Sequence, residues 1–407
     1  MKKFAFLCTL CAVLAIICCA LADGPEYTLS VKNSTVLQNI ADRNISVPNE
    51  VAIHDVIAGE SPVTGLPWEG RYMPVLVQIG NSVSNATVNG YAVQATGIAK
   101  RTPWGIQYAD IIYEEIIHRG GYTRFTMLFS DCFAQGEPAG GVGPVRSCRI
   151  GPVLLRESWQ GALVYGGGFL GSFRQPDGAI AQLFSQTGTE ELGILFNIRS
   201  TEYYTLGYHI KNVKAPSNYS VDLLAVYDLI PETYSAAPHP FLFGTDTYTA
   251  DTYPTASIIS LDWGYKYNIS HFIYNEDSNT YTRYCGAGIK PKKWVEFASF
   301  STAEDRSDEH KQALDFTNVI IQRVEYVYEN DSANKPVVQS IGQGSADIFI
   351  NGRYIAGYWV CSSLDGPTVY YDDQGNELCL NRGKTYIAHF PAEGLCTFTD
   401  WDNEYLD

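Results

Sequence analysis

The chain has 407 residues, with 28 Lys and Arg against 44 Asp and Glu, and a formal net charge of −16. So acidic a surface repels a nucleic-acid backbone, and no run of Lys or Arg compensates locally, which argues against nucleic-acid binding. The length suits two domains rather than one. Among the cysteines that follow residue 22 no C-x-x-C pair points to a zinc site, and no motif calls for a cofactor.

Residues 1–22 read as a signal segment. Lys2 and Lys3 form a basic start, residues 4–19 are an apolar run too short for a comfortable membrane span, and Ala20-Leu21-Ala22 gives a small-x-small cleavage pattern. A mature start at Asp23 is expected. Lipid attachment at Cys18 or Cys19 is the alternative, although Ile17 and Cys18 stand where such a site wants Gly, Ala or Ser. No later stretch approaches the apolar length of a membrane helix, so the mature protein is expected to be extracytoplasmic, secreted or associated with the cell envelope. Six cysteines follow the segment: Cys132, Cys148, Cys285, Cys361, Cys379 and Cys396. An even number in an exported chain permits three disulfides, with Cys132–Cys148 one candidate.

Residues 23–62 form a polar arm without a sustained period. Residues 63–230 mix strands and helices. Strands are expected over 73–80 and 161–165, and on either side of the Gly120-Gly121 turn, over 110–114 and 123–129. Helices are expected over 150–159 and 179–185. A linker containing Pro238 and Pro240 spans 231–253. Residues 254–392 read as strands joined by turns, among them Asn351-Gly352, a preferred hairpin dipeptide. Residues 393–407 are an acidic tail. The expected fold class is α+β: an α/β-like N-terminal domain with a mixed sheet, then a mostly antiparallel β domain.

The chemistry concentrates in residues 113–125 and 143–149. Arg124, Arg146 and Arg149 each carry a planar fork of donors suited to carboxylate or phosphate. Arg146 and Arg149 are three apart and would share one side of a helical turn. Glu114, at a strand end, is positioned to face them. One reading is an anion-binding cleft with Glu114 or Glu115 as general acid or base. The other is a buried Glu114–Arg124 or Glu114–Arg146 ion pair that fixes strand register. Cys148 is either a nucleophile partnered by His209 or His118, or a disulfide or inert thiol. Ser147 lacks the G-x-S-x-G context of a nucleophile. Gly166-Gly167-Gly168 lacks P-loop spacing and reads as a strand exit. Residues 372–377 faintly suggest a calcium loop but read as a turn. The clusters Tyr203-Tyr204, Tyr370-Tyr371 and Tyr354/Tyr358/Trp359 either stack on sugar rings or fill the fold.

The strings Ala109-Asp110-Ile111-Ile112-Tyr113-Glu114, Gly120-Gly121-Tyr122-Thr123-Arg124-Phe125, Gly143-Pro144-Val145-Arg146-Ser147 and Leu380-Asn381-Arg382-Gly383-Lys384 occur in a recognisable order. On these residues the chain resembles the YerB-like family of bacterial extracytoplasmic proteins, a domain of unknown function with N-terminal and C-terminal parts. The resemblance adds Asn218 of Ala215-Pro216-Ser217-Asn218 to the candidate ligand-binding set of Glu114, Arg124, Arg146 and Arg149. Two family histidines are replaced, one at Tyr165 and one at Ser217, and Cys148 stands where the family usually has a small residue. The family's associations imply the bacterial envelope and, for some members, peptidoglycan synthesis. Two functions follow as expectations. The first is a non-catalytic accessory protein that binds a cell-wall glycan or an envelope protein. The second is an envelope hydrolase or lyase using Glu114.

Overall fold

Side chains alternate between two faces along the strands of a large mixed sheet, and this sorts the core into two layers. The computed structural model describes residues 51, 53–168, 179–245, 248–288, 290–328 and 335–400. The signal-like segment and most of the polar arm lie outside these residues, as does the end of the acidic tail. Across the sheet the strands run Thr368–Asp372, Arg353–Cys361, Gly342–Ile350, Asn318–Tyr328, Thr385–Pro391, Ile111–His118, Tyr122–Phe129, Val75–Gly80, Ala162–Tyr165 and Leu195–Asn197. Pro336–Gln339 pairs with Asn318–Tyr328 off this path. The early and late parts of the chain meet in one parallel pair, with Thr385 opposite Ile111 and His389 opposite Glu115. Residues on both sides of the expected 231–253 linker therefore build a single sheet.

One face of this sheet, carrying Ile112, Phe125 and Tyr386, packs on a second, antiparallel sheet through Leu261, Trp263 and Phe272. That sheet contains Ile258–Tyr265, Asn268–Asn275, Thr280–Cys285 and Leu395–Thr399. The opposite face, carrying Tyr113, Leu128 and Ile387, packs on the helices Ile150–Trp159 and Ala179–Thr187 through Val153, Trp159 and Phe184. Among the described residues strand outweighs helix, 43% to 14%, so the fold is more β-rich than a balanced α+β class. The excess comes from the C-terminal half, which supplies strands to both sheets.

The turns follow local chemistry. Gly120 and Gly121 have φ of 97° and 79°, a region open to glycine, and a side chain at Gly121 would collide with the Trp263 carbonyl. Asn351 and Gly352, at φ 54° and 67°, make the hairpin turn between Gly342–Ile350 and Arg353–Cys361. Asp372 Oδ1 accepts from the backbone N–H of Gln374 and of Asn376, both at 2.9 Å, so residues 372–377 form a turn. Tyr358, Trp359, Tyr370 and Tyr371 are buried, and Tyr358 stacks on Tyr371 with ring centroids 5.0 Å apart. These aromatics fill the fold.

Disulfides are not shown: Cys132, Cys148, Cys285, Cys361 and Cys396 are free thiols. Cys132 lies in the core layer facing the second sheet and Cys148 in the layer facing the helices, so the sheet separates the candidate pair. A chain lacking residues 1–22 is expected to show these thiols reacting with a disulfide reagent in denaturant and no mass change on reduction. A mass gain of two on reduction, measured after folding under oxidising conditions, would contradict the assignment.

Candidate functional site

Glu114 and Glu115 are neighbours on the Ile111–His118 strand and point to opposite faces. Glu114 faces the second sheet, where Arg283 Nη2 lies 2.8 Å from its Oε2 and both side chains are fully buried. Thr123 Oγ1 donates to Oε1 at 2.6 Å and Asn81 Nδ2 at 3.2 Å. The Tyr386 hydroxyl donates to Oε2. Arg283 also donates to Ser270 Oγ at 2.8 Å and Cys285 Sγ at 3.1 Å, and its guanidinium lies 4.2 Å from the Phe297 ring centroid. The expected partners Arg124 and Arg146 take no part, because alternation sends Arg124 to the other face. Glu114 is thus a saturated structural carboxylate with no approach for a substrate, which corrects its placement in a cleft.

The arginines lie on the side of Glu115 instead, with Arg124 and Arg149 within its electrostatic reach and Arg146 beside those two. Antiparallel pairing sets Arg124 opposite Glu115, and parallel pairing sets His389 on its other side, with His389 Nδ1 3.8 Å from Glu115 Oε2. Next along this row is Gly80, opposite Arg124, where a Cβ would crowd the Arg146 side chain. Residues 142–148 run extended between the Val75–Gly80 strand and Tyr219–Val221. Arg146 N–H donates to the Gln78 carbonyl at 2.8 Å, and Val145 N–H to Tyr219 O at 2.7 Å. Gly166 N–H donates to Arg146 O and Cys148 N–H to Gly167 O, both at 2.9 Å, so the glycine run serves as a strand exit that holds this loop.

Arg149 precedes the helix Ile150–Trp159 at its N-cap. In the first turn, a Cβ at Gly151 would collide with the Glu115 carboxylate. The acid therefore sits close against the helix N-terminus, where the exposed amides favour negative charge.

The three guanidiniums are restrained by carbonyls. Arg124 Nη1 donates to Ser147 O at 2.7 Å, Arg149 Nη1 to Cys148 O at 2.8 Å, and Arg146 Nη1 to Pro216 O at 3.3 Å. Burial pulls Arg124 well below the ordinary guanidinium range, repulsion from Arg149 and Arg146 adds to this, and Cys148 and Glu115 oppose it. Arg146 is lowered by burial and then by Arg101 and Arg149. Arg149 is lowered by burial, against the pull of Cys148 and Glu115. Glu115 Oε2, Arg149 Nε and Ser217 Oγ are buried without a hydrogen-bond partner. Three arginines close together, with one carboxylate near two of them and Arg149 Nε without a hydrogen-bond partner, make a site that attracts a further anion.

Other candidates contribute differently. Burial pushes the Cys148 thiol up to about 12, and its Sγ lies 3.2 Å from the Arg149 carbonyl oxygen, so it remains an inert thiol. His209 packs on Tyr219 and His118 on Tyr122. Asn218 is half-buried, and its carbonyl accepts from Ile210 N–H at 2.7 Å. Among the described residues no group of His, Cys, Asp and Glu is placed to hold a metal ion, and no helix is long and apolar enough to cross a membrane.

The fold and this site together place the chain in a class without an assigned activity. It belongs to the family described as Protein of unknown function (DUF3048), whose N-terminal domain matches residues 69–222 and whose C-terminal domain matches residues 259–387. Among solved structures it is similar to the crystal structure of YerB protein from Bacillus subtilis, at 20% identity and a TM-score of 0.59, covering 83% of this chain and 99% of that one. The YerB-like resemblance is therefore shown, and at that identity the structural likeness speaks for the fold alone. No curated protein matches the chain.

Arg283→Met leaves Glu114 as an unpaired buried charge and is expected to lower the unfolding free energy by about 3–5 kcal/mol. Combining it with Glu114→Gln should cost less than the sum of the two single changes. Urea midpoints followed by circular dichroism test this, and a wild-type midpoint in Arg283→Met would refute the structural role.

Proposed function

We propose that the chain is an anion-binding protein of the bacterial cell envelope, without catalytic chemistry of its own. In this reading it recognises a carboxylate or phosphate group on a cell-wall glycan or an envelope protein and supports cell-wall assembly. The observation that carries the reading is the mutual proximity of Arg124, Arg146 and Arg149, with the carboxylate of Glu115 near two of them, within a chain of net charge −16. Guanidinium forks are suited to bidentate recognition of planar carboxylate and of phosphate oxygens. The envelope location rests on the signal-like residues 1–22 and on the family resemblance. The alternative, a hydrolase or lyase with Glu114 as acid or base, is disfavoured by the full burial and pairing of that side chain.

Titration calorimetry with inorganic phosphate and with acetate tests the site. Arg149→Ala and Arg146→Ala are each expected to weaken binding by about tenfold, or about 1.4 kcal/mol, while Glu114→Gln acts on stability instead. No heat with either anion would refute anion recognition. Sedimentation of the chain with labelled peptidoglycan provides the second readout, and release of soluble fragments would overturn the non-catalytic assignment.

A further inference from the structure

A second cationic feature lies beside the arginine cluster and shares no residue with it. A cleft of about 1140 Å³ opens between the Val83–Val88 and Tyr91–Thr96 hairpin, the turn Ala99–Arg101, residues 208–214 and residues 303–306. Its lining includes Lys100, Arg101, Lys211, Lys214 and Arg306, with Glu304 the sole carboxylate. Among the described residues none of these five cations takes part in an ion pair. In a chain with a large excess of acid, leaving five cations together and unpaired concentrates positive potential where the rest of the surface is negative.

The cleft is built rather than incidental. Its lining residues Tyr208, Ile210 and Ala303 belong to a small core cluster with Trp104 and Phe300. The Arg306 guanidinium lies 5.0 Å from the Trp104 ring centroid and 5.1 Å from that of Phe300, and its Nη1 is buried without a partner. Stacking orients the planar cation while leaving a donor free. Arg101 Nη1 donates to the Lys214 carbonyl at 3.4 Å, fixing the segment that bears two of the lysines. The volume far exceeds what a single small anion fills, so the complementary ligand carries several charges. Three of the five cations are lysines. Their ammonium groups act as freely placed point charges, which suit tetrahedral phosphates spaced along a chain better than planar carboxylates.

We infer that this cleft binds a flexible chain of phosphate groups, held by Lys100, Arg101, Lys211, Lys214 and Arg306. The inference goes beyond the recognition of a single anion at Arg124, Arg146 and Arg149 and does not depend on it.

The test uses a chain beginning at Asp23 and inorganic polyphosphate of about fifty units as probe, followed by fluorescence anisotropy at several salt concentrations. Lys211→Glu combined with Lys214→Glu reverses two exposed charges, and its thermal midpoint checks that the fold is retained. Polyphosphate affinity is expected to fall at least about tenfold in this variant, to weaken with salt, and to survive in Arg149→Ala. Orthophosphate binding should show the opposite pattern, weakened about tenfold in Arg149→Ala and kept in the lysine variant, so failure of either site is seen separately. Unchanged polyphosphate affinity in a folded lysine variant would overturn the inference. Equal binding of poly-γ-glutamate would overturn the assignment to phosphate.

Discussion

A carboxylate and a guanidinium, both fully removed from water, couple the two sheets of this chain. Glu114 belongs to the centre of the mixed sheet and Arg283 to the antiparallel sheet packed on it. Electrostatic attraction strengthens away from water, but so does the penalty for separating the charges. Sliding one sheet across the other would leave a buried charge unsatisfied, whereas apolar contacts alone tolerate some slippage. Tyr386, Thr123, Asn81 and Ser270 complete the hydrogen bonding around the pair. These partners come from segments far apart in sequence, so one layer arrangement satisfies them all together.

The same strand presents a second acid to an opposite kind of environment. Glu114 is neutralised by one arginine and surrounded by donors. Glu115, one residue on, lies within electrostatic reach of Arg124 and Arg149 and has an oxygen without a hydrogen-bond partner. Strand geometry produces this contrast, since adjacent side chains lie on opposite faces. One face of the Ile111–His118 strand therefore serves cohesion and the other provides the surroundings for recognition. The glycines at 80 and 151 provide room on the recognition face for the Arg146 stem and the Glu115 carboxylate.

Much of the local structure was legible from residue patterns. The helix over 150–159 and the hairpins about Gly120-Gly121 and Asn351-Gly352 follow from periodicity and turn chemistry, which act over short distances. The arginine cluster is visible through its spacing, but which of Glu114 and Glu115 faces it is not. Alternation along the hairpin puts Glu115 opposite Arg124 and Glu114 opposite Phe125, a distinction that required the strand register. Arg283 carried no motif. Its pairing with Glu114 joins residues 169 positions apart and arises from layer packing. The free cysteines were likewise hidden, because an even number of thiols says nothing about which face of a sheet each occupies.

The parallel contact between Ile111–His118 and Thr385–Pro391 has a consequence for how the chain is assembled. The central strand of the sheet can complete its hydrogen-bonding edge only after nearly the entire polypeptide is available. Until then, an early segment presents an unpaired, largely apolar edge of the kind that recruits foreign strands. Closing a contact across this sequence distance also slows formation relative to a fold made from local pairs. The order of synthesis thus leaves the molecule's middle as its last seam, and a fragment ending before residue 385 would keep that seam open.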